Sequence, residues 1–231
     1  YTTMYLIEGE DKAVLIDTGT RCADLDKIVG QITGKPLEVI VTHMHPDHAG
    51  CIKYFDKVWM HRADTVLVPQ HAADYQGEFL YMEEGQVFDL GGRKLEVAWM
   101  PGHTPGSVVL LDKANGDCYS GDAFGSGEVW LQCVPMSPIA TFHESCCRME
   151  KLMKEGHIKD IWCGHYPYLK SSLPLAYIQT MIRISHRLMN GDQEGSEPYS
   201  NYFIKMPPTA RKLAEGRAMI VYDSTNIPEA R

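Results

Sequence analysis

Short apolar runs separated by polar turns dominate the first half of the chain, and helical spacing takes over in the second. Tyr5-Leu6-Ile7 and Ala13-Val14-Leu15-Ile16-Asp17 are β-rich runs joined by the polar residues 8–12, which predicts an antiparallel hairpin. Over 23–32, Leu25, Ile28, Val29 and Ile32 fall at helical spacing among charges, and Gly34 and Pro36 stop that helix. Residues 37–41 form a nearly all-apolar strand of the kind buried on both faces. One or two helical turns are expected over 50–55, a strand over 58–60 and a short helix over 63–68. Residues 70–86 place Tyr75, Phe79, Tyr81 and Met82 among acidic residues and read as irregular. Val87-Phe88, a Gly91-Gly92 turn and an alternating strand over 94–99 lead into a Gly/Pro-punctuated loop over 100–107. A second hairpin, 108–111 with 117–120, folds over Asn115-Gly116.

Downstream the pattern predicts a helix over 141–154, a strand over 161–163 and the longest helix over 175–189, closed by Asn190-Gly191. Residues 195–208 read as loop and 218–222 as a terminal strand. Hairpins flanking α/β alternation imply an α+β architecture, two sheets packed face to face with helices outside. We expect one domain over 1–231, with 170–215 as a helical and loop covering element.

A net charge of −8 without a Lys/Arg cluster argues against nucleic acid or an anionic membrane as partner, and leaves a small-molecule substrate. No apolar run approaches the roughly 20 residues a membrane-spanning helix needs. The seven cysteines are scattered and form no Cys-x-x-Cys pair, which fits reduced thiols in a cytoplasmic protein. The chain opens on Tyr1 rather than Met, as one lacking a short leader would. The sequence leaves assembly open, a homodimer being one option.

The chemistry concentrates in Thr42-His43-Met44-His45-Pro46-Asp47-His48-Ala49-Gly50, directly after the apolar strand. Imidazole and carboxylate suit Zn, Fe and Mn. His43 and His45 lie two apart, so an extended segment points both to one side. Pro46 lets the chain turn and present Asp47 and His48 to a second point. One loop thus has donors for parts of two metal centres. His103, Asp122 and His165 each follow a strand and sit beside glycine, where the backbone can approach an ion closely.

The order HxHxDH, then single His, Asp and His, resembles the metallo-β-lactamase superfamily, as does the opening Leu15-Ile16-Asp17-Thr18-Gly19. The resemblance implies a four-layer αββα sandwich. Carried over by position, it implies that His43, His45 and His103 bind one metal, that Asp47, His48 and His165 bind another, and that Asp122 bridges them. Two divalent ions are implied, Zn first, with Fe or Mn as alternatives. They would share a hydroxide that attacks an ester, thioester, lactone or amide carbonyl, with Asp47 or Asp122 assisting proton movement. Asp17 is either an acceptor that orients a ligand or a cap for the turn after its strand.

Departures narrow the subfamily. His45 stands where flavodiiron proteins have Glu, and Asp122 where the antibiotic-hydrolysing B1 enzymes have Cys; at Asp122 the chain resembles glyoxalase II, lactonases and related thioester or ester hydrolases instead. Asp122-Ala123-Phe124-Gly125 differs from the Asp-Thr-Leu-Phe of glyoxalase II, and no basic cluster near the C-terminus awaits glutathione carboxylates. The acidic charge disfavours a tRNA-processing nuclease. Competing readings are a mononuclear iron oxygenase of the persulfide dioxygenase kind and a non-catalytic metal-binding protein. Tyr166 follows a ligand position and either donates to a developing oxyanion or packs on its strand. Phe124, Trp130, Tyr75, Phe79 and Tyr168 are candidates to line a pocket or to serve as satellite core. His61, His71, His143, His157 and His186 fall outside the motif and are expected to be bystanders. Ser126 lacks the partners of a nucleophile. The Met-containing stripe of the 175–189 helix reads as core.

Overall fold

A computed structural model describes residues 1–202 and 205–228. Residues 203 and 204 of the expected 195–208 loop, and the last three residues, lie outside the described residues. In chain order the strands are β1 (Tyr5–Glu8), β2 (Ala13–Ile16), β3 (Leu37–Ile40), β4 (Lys57–His61), β5 (Glu78–Met82), β6 (Val87–Asp89), β7 (Lys94–Trp99), β8 (Val108–Asp112), β9 (Asp117–Gly121), β10 (Glu128–Trp130), β11 (Asp160–Cys163), β12 (Glu197–Pro198), β13 (Ala210–Glu215) and β14 (Ala218–Asp223). The helices are α1 (Leu25–Ile32), α2 (Pro46–Ala49), α3 (Val68–His71), α4 (Ile139–Lys154), α5 (Tyr166–Leu169) and α6 (Leu175–Met189).

Two five-stranded sheets, β1-β2-β3-β4-β5 and β11-β9-β8-β7-β6, form the centre of an α+β sandwich. Alternation along single strands shows how they stack. Val14, Ile16 and Ile40 of the first sheet meet Leu95, Val97, Val108 and Leu110 of the second in one buried cluster. The intervening residues Leu15, Val39 and Val41 face outward onto Leu25 and Val29 of α1. Ala98, Val109, Leu111 and Cys118 face the other way, onto Phe142 and Met149 of α4 and Ile178 and Met181 of α6. This gives the four layers, and it explains why the central strands read as unbroken apolar runs. Burying each such aliphatic side chain contributes about 1.5–3 kcal/mol before chain entropy is counted. The Met181 stripe is core, as expected.

The β1–β2 hairpin is antiparallel with Tyr5 opposite Ile16, and the second hairpin turns over Gly116 at φ 79. Two segments differ from expectation. Residues 70–86 are not irregular throughout, because Glu78–Met82 pairs in parallel with β4. As the edge strand it is only partly covered, Phe79 and Tyr81 packing on the outer cluster and Met82 between the sheets, and the acidic residues around it stay in solvent, with Lys57 paired to Glu78. The cover expected over 170–215 is helical only to Met189. Ala210–Glu215 is a strand that pairs with β14 and joins a third sheet, β10-β14-β13-β12, which shares the core of α4 and α6.

Candidate metal centre

Topology brings the candidate residues to one edge. β2 and β3 run in parallel, so their carboxyl ends release Asp17 and Thr42-His43 side by side. β7 and β9 each run antiparallel to β8, and β11 runs parallel to β9, so the loops after all three leave in one direction. Those loops carry His103, Asp122 and His165. After His45, Pro46 begins α2, a single turn that swings Asp47 and His48 away from the His43/His45 pair.

The seven side chains form two clusters. The ligand atoms of His43, His45 and His103 lie within 4.8 Å of one another, as do those of Asp47, His48, Asp122 and His165. Asp122 stands between the clusters: its Oδ2 is 3.1 Å from His165 Nε2, 3.4 Å from His48 Nε2 and 3.9 Å from His103 Nε2. His45 Nδ1 and His103 Nε2 are 2.9 Å apart. His43 Nε2, His48 Nε2 and Asp122 Oδ1 are buried and, among the described residues, without a hydrogen-bond partner. Orphaned buried polar atoms are costly, and metal held in the two clusters would use all three. The residues present therefore fit a metal centre.

The surroundings fix which nitrogens are free to ligate. Asp17 Oδ1 accepts Thr42 N–H at 2.7 Å, and its Oδ2 accepts the Thr42 hydroxyl at 3.0 Å and faces His48 Nδ1 at 2.7 Å. His48 thus donates from Nδ1 and keeps Nε2 toward the cluster. Because the Thr42 hydroxyl gives its proton to Asp17, its oxygen accepts from His43 Nδ1, 3.2 Å away. His103 Nδ1 faces the Trp130 carbonyl at 2.8 Å, and His165 Nδ1 the Tyr1 carbonyl at 2.8 Å. Such partners set imidazole tautomer and orientation at metal sites. Of the two readings offered for Asp17, the structure shows the acceptor that orients a histidine, held at φ 63.

The two clusters differ in charge. Burial, followed by the neighbouring histidines, drives His43 well below the imidazole range and His45 down to about 3. Burial also lowers His103. These three are neutral donors. In the second cluster burial opposes charge on every member, and the partners overcome it. Asp122 and Asp17 push His48 up to about 10, and hydrogen bonds to Asp122 and Asp47 push His165 up to about 11. The hydrogen bond to His165 and the charge of His48 bring Asp47 down to about 2, and the charge of His48 holds Asp122 well below the carboxylate range.

Other residues sort by contact. Tyr166 rests on Trp162 and the outer core, and among the described residues no contact joins it to either cluster. Phe124 is fully buried core, and Tyr75 packs on Phe79 away from the centre. Tyr168, exposed, lies tilted beside the His165 ring, centroids 5.7 Å apart, and Trp130 reaches the centre through its carbonyl. Four of the five bystander histidines have other partners: His61 on Trp99, His143 on Ser185, His157 near Glu155 and His186 beside Asn190. The fifth does not fit that expectation, for the His71 ring stands 5.8 Å from His45. Sequence reading also passed over Asp64 and Cys133. Cys133 lies close enough to Asp122 and Asp47 that their charges add to burial in raising its thiol to about 11. All seven cysteines are free thiols.

An αββα sandwich with a His/Asp centre at the mouths of its strands is the arrangement of a metal-dependent hydrolase. The family comparison agrees: residues 1–143 match the model of the metallo-beta-lactamase superfamily, and the chain belongs to that superfamily. Among curated proteins it is similar to acyl-coenzyme A thioesterase MBLAC2 of Homo sapiens, 26% identical over 202 residues, covering 71% of this chain and 72% of the relative. It is also similar to hydroxyacylglutathione hydrolase of Aeromonas salmonicida, 27% identical over 179 residues, covering 75% of this chain and 64% of that protein. Among solved structures, TTHA1623 in a di-iron-bound form superposes with TM-score 0.61 at 27% identity, covering 76% of this chain and 90% of that one. TTHA1429 from Thermus thermophilus shares the fold, with TM-score 0.65 at 17% identity over 85% of this chain and 79% of the other.

Proposed function

We propose that this chain hydrolyses acyl thioesters of small-molecule thiols, using two divalent metal ions. His43, His45 and His103 would hold one, Asp47, His48 and His165 the other, with Asp122 between them. The observation that carries this reading is the convergence of three orphaned buried atoms, His43 Nε2, His48 Nε2 and Asp122 Oδ1, within two adjoining clusters of ligand atoms. Bound there, two cations supply a water of lowered pKa and a Lewis acid for the carbonyl oxygen.

The chain's own residues do the rest. Asp17, the Trp130 carbonyl and the Tyr1 carbonyl hold three imidazoles with one nitrogen facing inward. Asp47, the more open of the two cluster carboxylates, would take a proton from attacking water and return it to the leaving thiolate. Tyr168 beside His165 offers an exposed ring against which a thiol carrier can lie. Thioesters are favoured over lactones and amides because the curated relatives named above are a thioesterase and a hydroxyacylglutathione hydrolase. Zn is our first expectation. The di-iron form of TTHA1623 supports iron as the alternative, and Mn suits the same donors. The acidic charge supports a small-molecule substrate, and seven free thiols support the cytoplasm. Among the described residues no helix is long and apolar enough to cross a membrane.

The test is thiol release from acyl-coenzyme A and S-lactoylglutathione and acid release from lactone and ester panels, with metal content measured on the same sample. Turnover of thioesters above the other classes, lost on chelation and restored by metal, is the expected result. Oxygen uptake with one iron per chain would replace the reading with the oxygenase. Full metal and no turnover of any class would leave a binding protein.

A further inference from the structure

Asp64 lies in the helical turn Arg62–Leu67 after β4, is 1% exposed, and contacts no cluster side chain described above. Its carboxylate accepts three hydrogen bonds. Oδ2 takes Met44 N–H at 2.9 Å and the Thr104 hydroxyl at 3.0 Å, and Oδ1 takes Gly106 N–H at 2.6 Å. Met44 is the residue between His43 and His45, and Thr104 follows His103. One carboxylate therefore ties together the two loops that supply the whole first cluster.

The connection is fully determined. Thr104 gives its hydroxyl proton to Asp64, accepts from the Ser107 hydroxyl at 2.9 Å, and sends its own N–H back to Ser107 Oγ at 3.0 Å. Gly106 is required by the close approach, since a Cβ there would lie 2.6 Å from both Cγ and Oδ1 of Asp64. No cation pairs with Asp64 among the described residues, and burial raises its pKa against these three donors. A carboxyl buried without a counter-charge is costly, and an apolar residue would fill the space at less expense. What an apolar residue cannot do is hold the 43–45 backbone to the 103–107 loop.

We propose that Asp64 is the positioning residue of the first cluster, a clamp that sets His103 against His43 and His45 so that the three imidazoles serve one ion. This inference rests on the two-metal reading above. The test measures metal content and stepwise metal affinity, by competition with a chromogenic chelator, in wild type, Asp64→Asn and Thr104→Val. Asp64→Asn keeps an oxygen for Gly106 but turns an N–H₂ toward the Met44 N–H. We expect one ion held with wild-type affinity and the other weakened about 10- to 100-fold. Thr104→Val leaves two of the three donors and should weaken the same ion a few-fold, which keeps the test open if Asp64→Asn does not fold.

Placing the effect needs two more backgrounds. Asp64→Asn should change nothing further in His103→Ala, and should weaken the remaining ion in His165→Ala by the same factor. A merely structural Asp64 would lower both affinities together, and that result overturns the inference. So does wild-type affinity at both sites in either Asp64→Asn or Thr104→Val. A wild-type protein that binds a single ion would instead overturn the two-metal reading.

Discussion

Gly164 precedes His165, and a methyl group there tests the centre at its tightest point. A Cβ at Gly164 would lie 2.6 Å from Asp122 Oδ1, 2.6 Å from His48 Cε1 and 3.1 Å from the Gly121 carbonyl carbon. Ordinary van der Waals contact begins near 3.4 Å, so Asp122 and His48 must each retreat by about 0.8 Å to reach it in a close-packed interior. Gly164 does not occupy the left-handed region, so Gly164→Ala carries no φ penalty of its own, and the effect falls chiefly on those two side chains. His48 is fully buried and tied to Asp17, which leaves it little room to move. Overpacking of this kind costs about 1–3 kcal/mol of stability. A displacement near 1 Å at reacting groups costs about 10²-fold in rate. We therefore expect a folded protein whose second ion is weakened at least tenfold and whose kcat falls about 100-fold. Elemental analysis, chelator competition and thioester turnover on one preparation measure all three. A full metal complement with kcat within about threefold of wild type would refute the steric argument and the placement of Asp122 and His48 around one ion.

Further outcomes follow from the same geometry. Exhaustive chelation should abolish turnover, and stoichiometric Zn, Fe or Mn should restore it; the metal giving the highest kcat identifies the working ion. Tyr166→Phe should leave kcat within about threefold, because Tyr166 packs on Trp162, whereas a loss of about 100-fold or more would make its hydroxyl catalytic. The chelated protein should be most stable near pH 6.5. Below that value the unfolded chain binds protons that buried His43, His45 and His103 refuse, so their contribution is lost as pH falls, for His45 toward about 3. Above it, His48 and His165 keep protons the unfolded chain releases, and stability is lost as pH rises toward about 10 and 11. Denaturant midpoints across pH check this, and a flat profile would contradict the charge separation between the clusters.

Much of the centre was legible because its spacing is local. His43 and His45 share a side, and Pro46 turns Asp47 and His48 away, both consequences of backbone geometry within six residues. The central strands were legible because burial on both faces leaves no polar position to mask the run. β5 was missed because partial burial at a sheet edge gives no clear alternation and leaves acidic neighbours that look like loop. β13 was missed because Arg211, Lys212 and Glu215 mask a strand that buries only Ala210 and Leu213. Asp64 and His71 carry no local signal at all. Asp64 meets Met44, Thr104 and Gly106 across twenty to forty-two positions of sequence, and His71 reaches His45 only because α3 folds back over the loop.

The first residues of the chain are part of the centre's frame. Tyr1 lends its carbonyl to His165 Nδ1, the Thr2 hydroxyl donates to Asp47 Oδ2 at 3.3 Å, and Thr3 N–H donates to the Gly164 carbonyl at 2.6 Å. Any polypeptide joined ahead of Tyr1 therefore leaves the fold at the rim of the second cluster. For whoever handles this protein, an amino-terminal affinity tag, above all a polyhistidine, would stand beside that cluster and compete with it for metal. Purification handles belong at the other end.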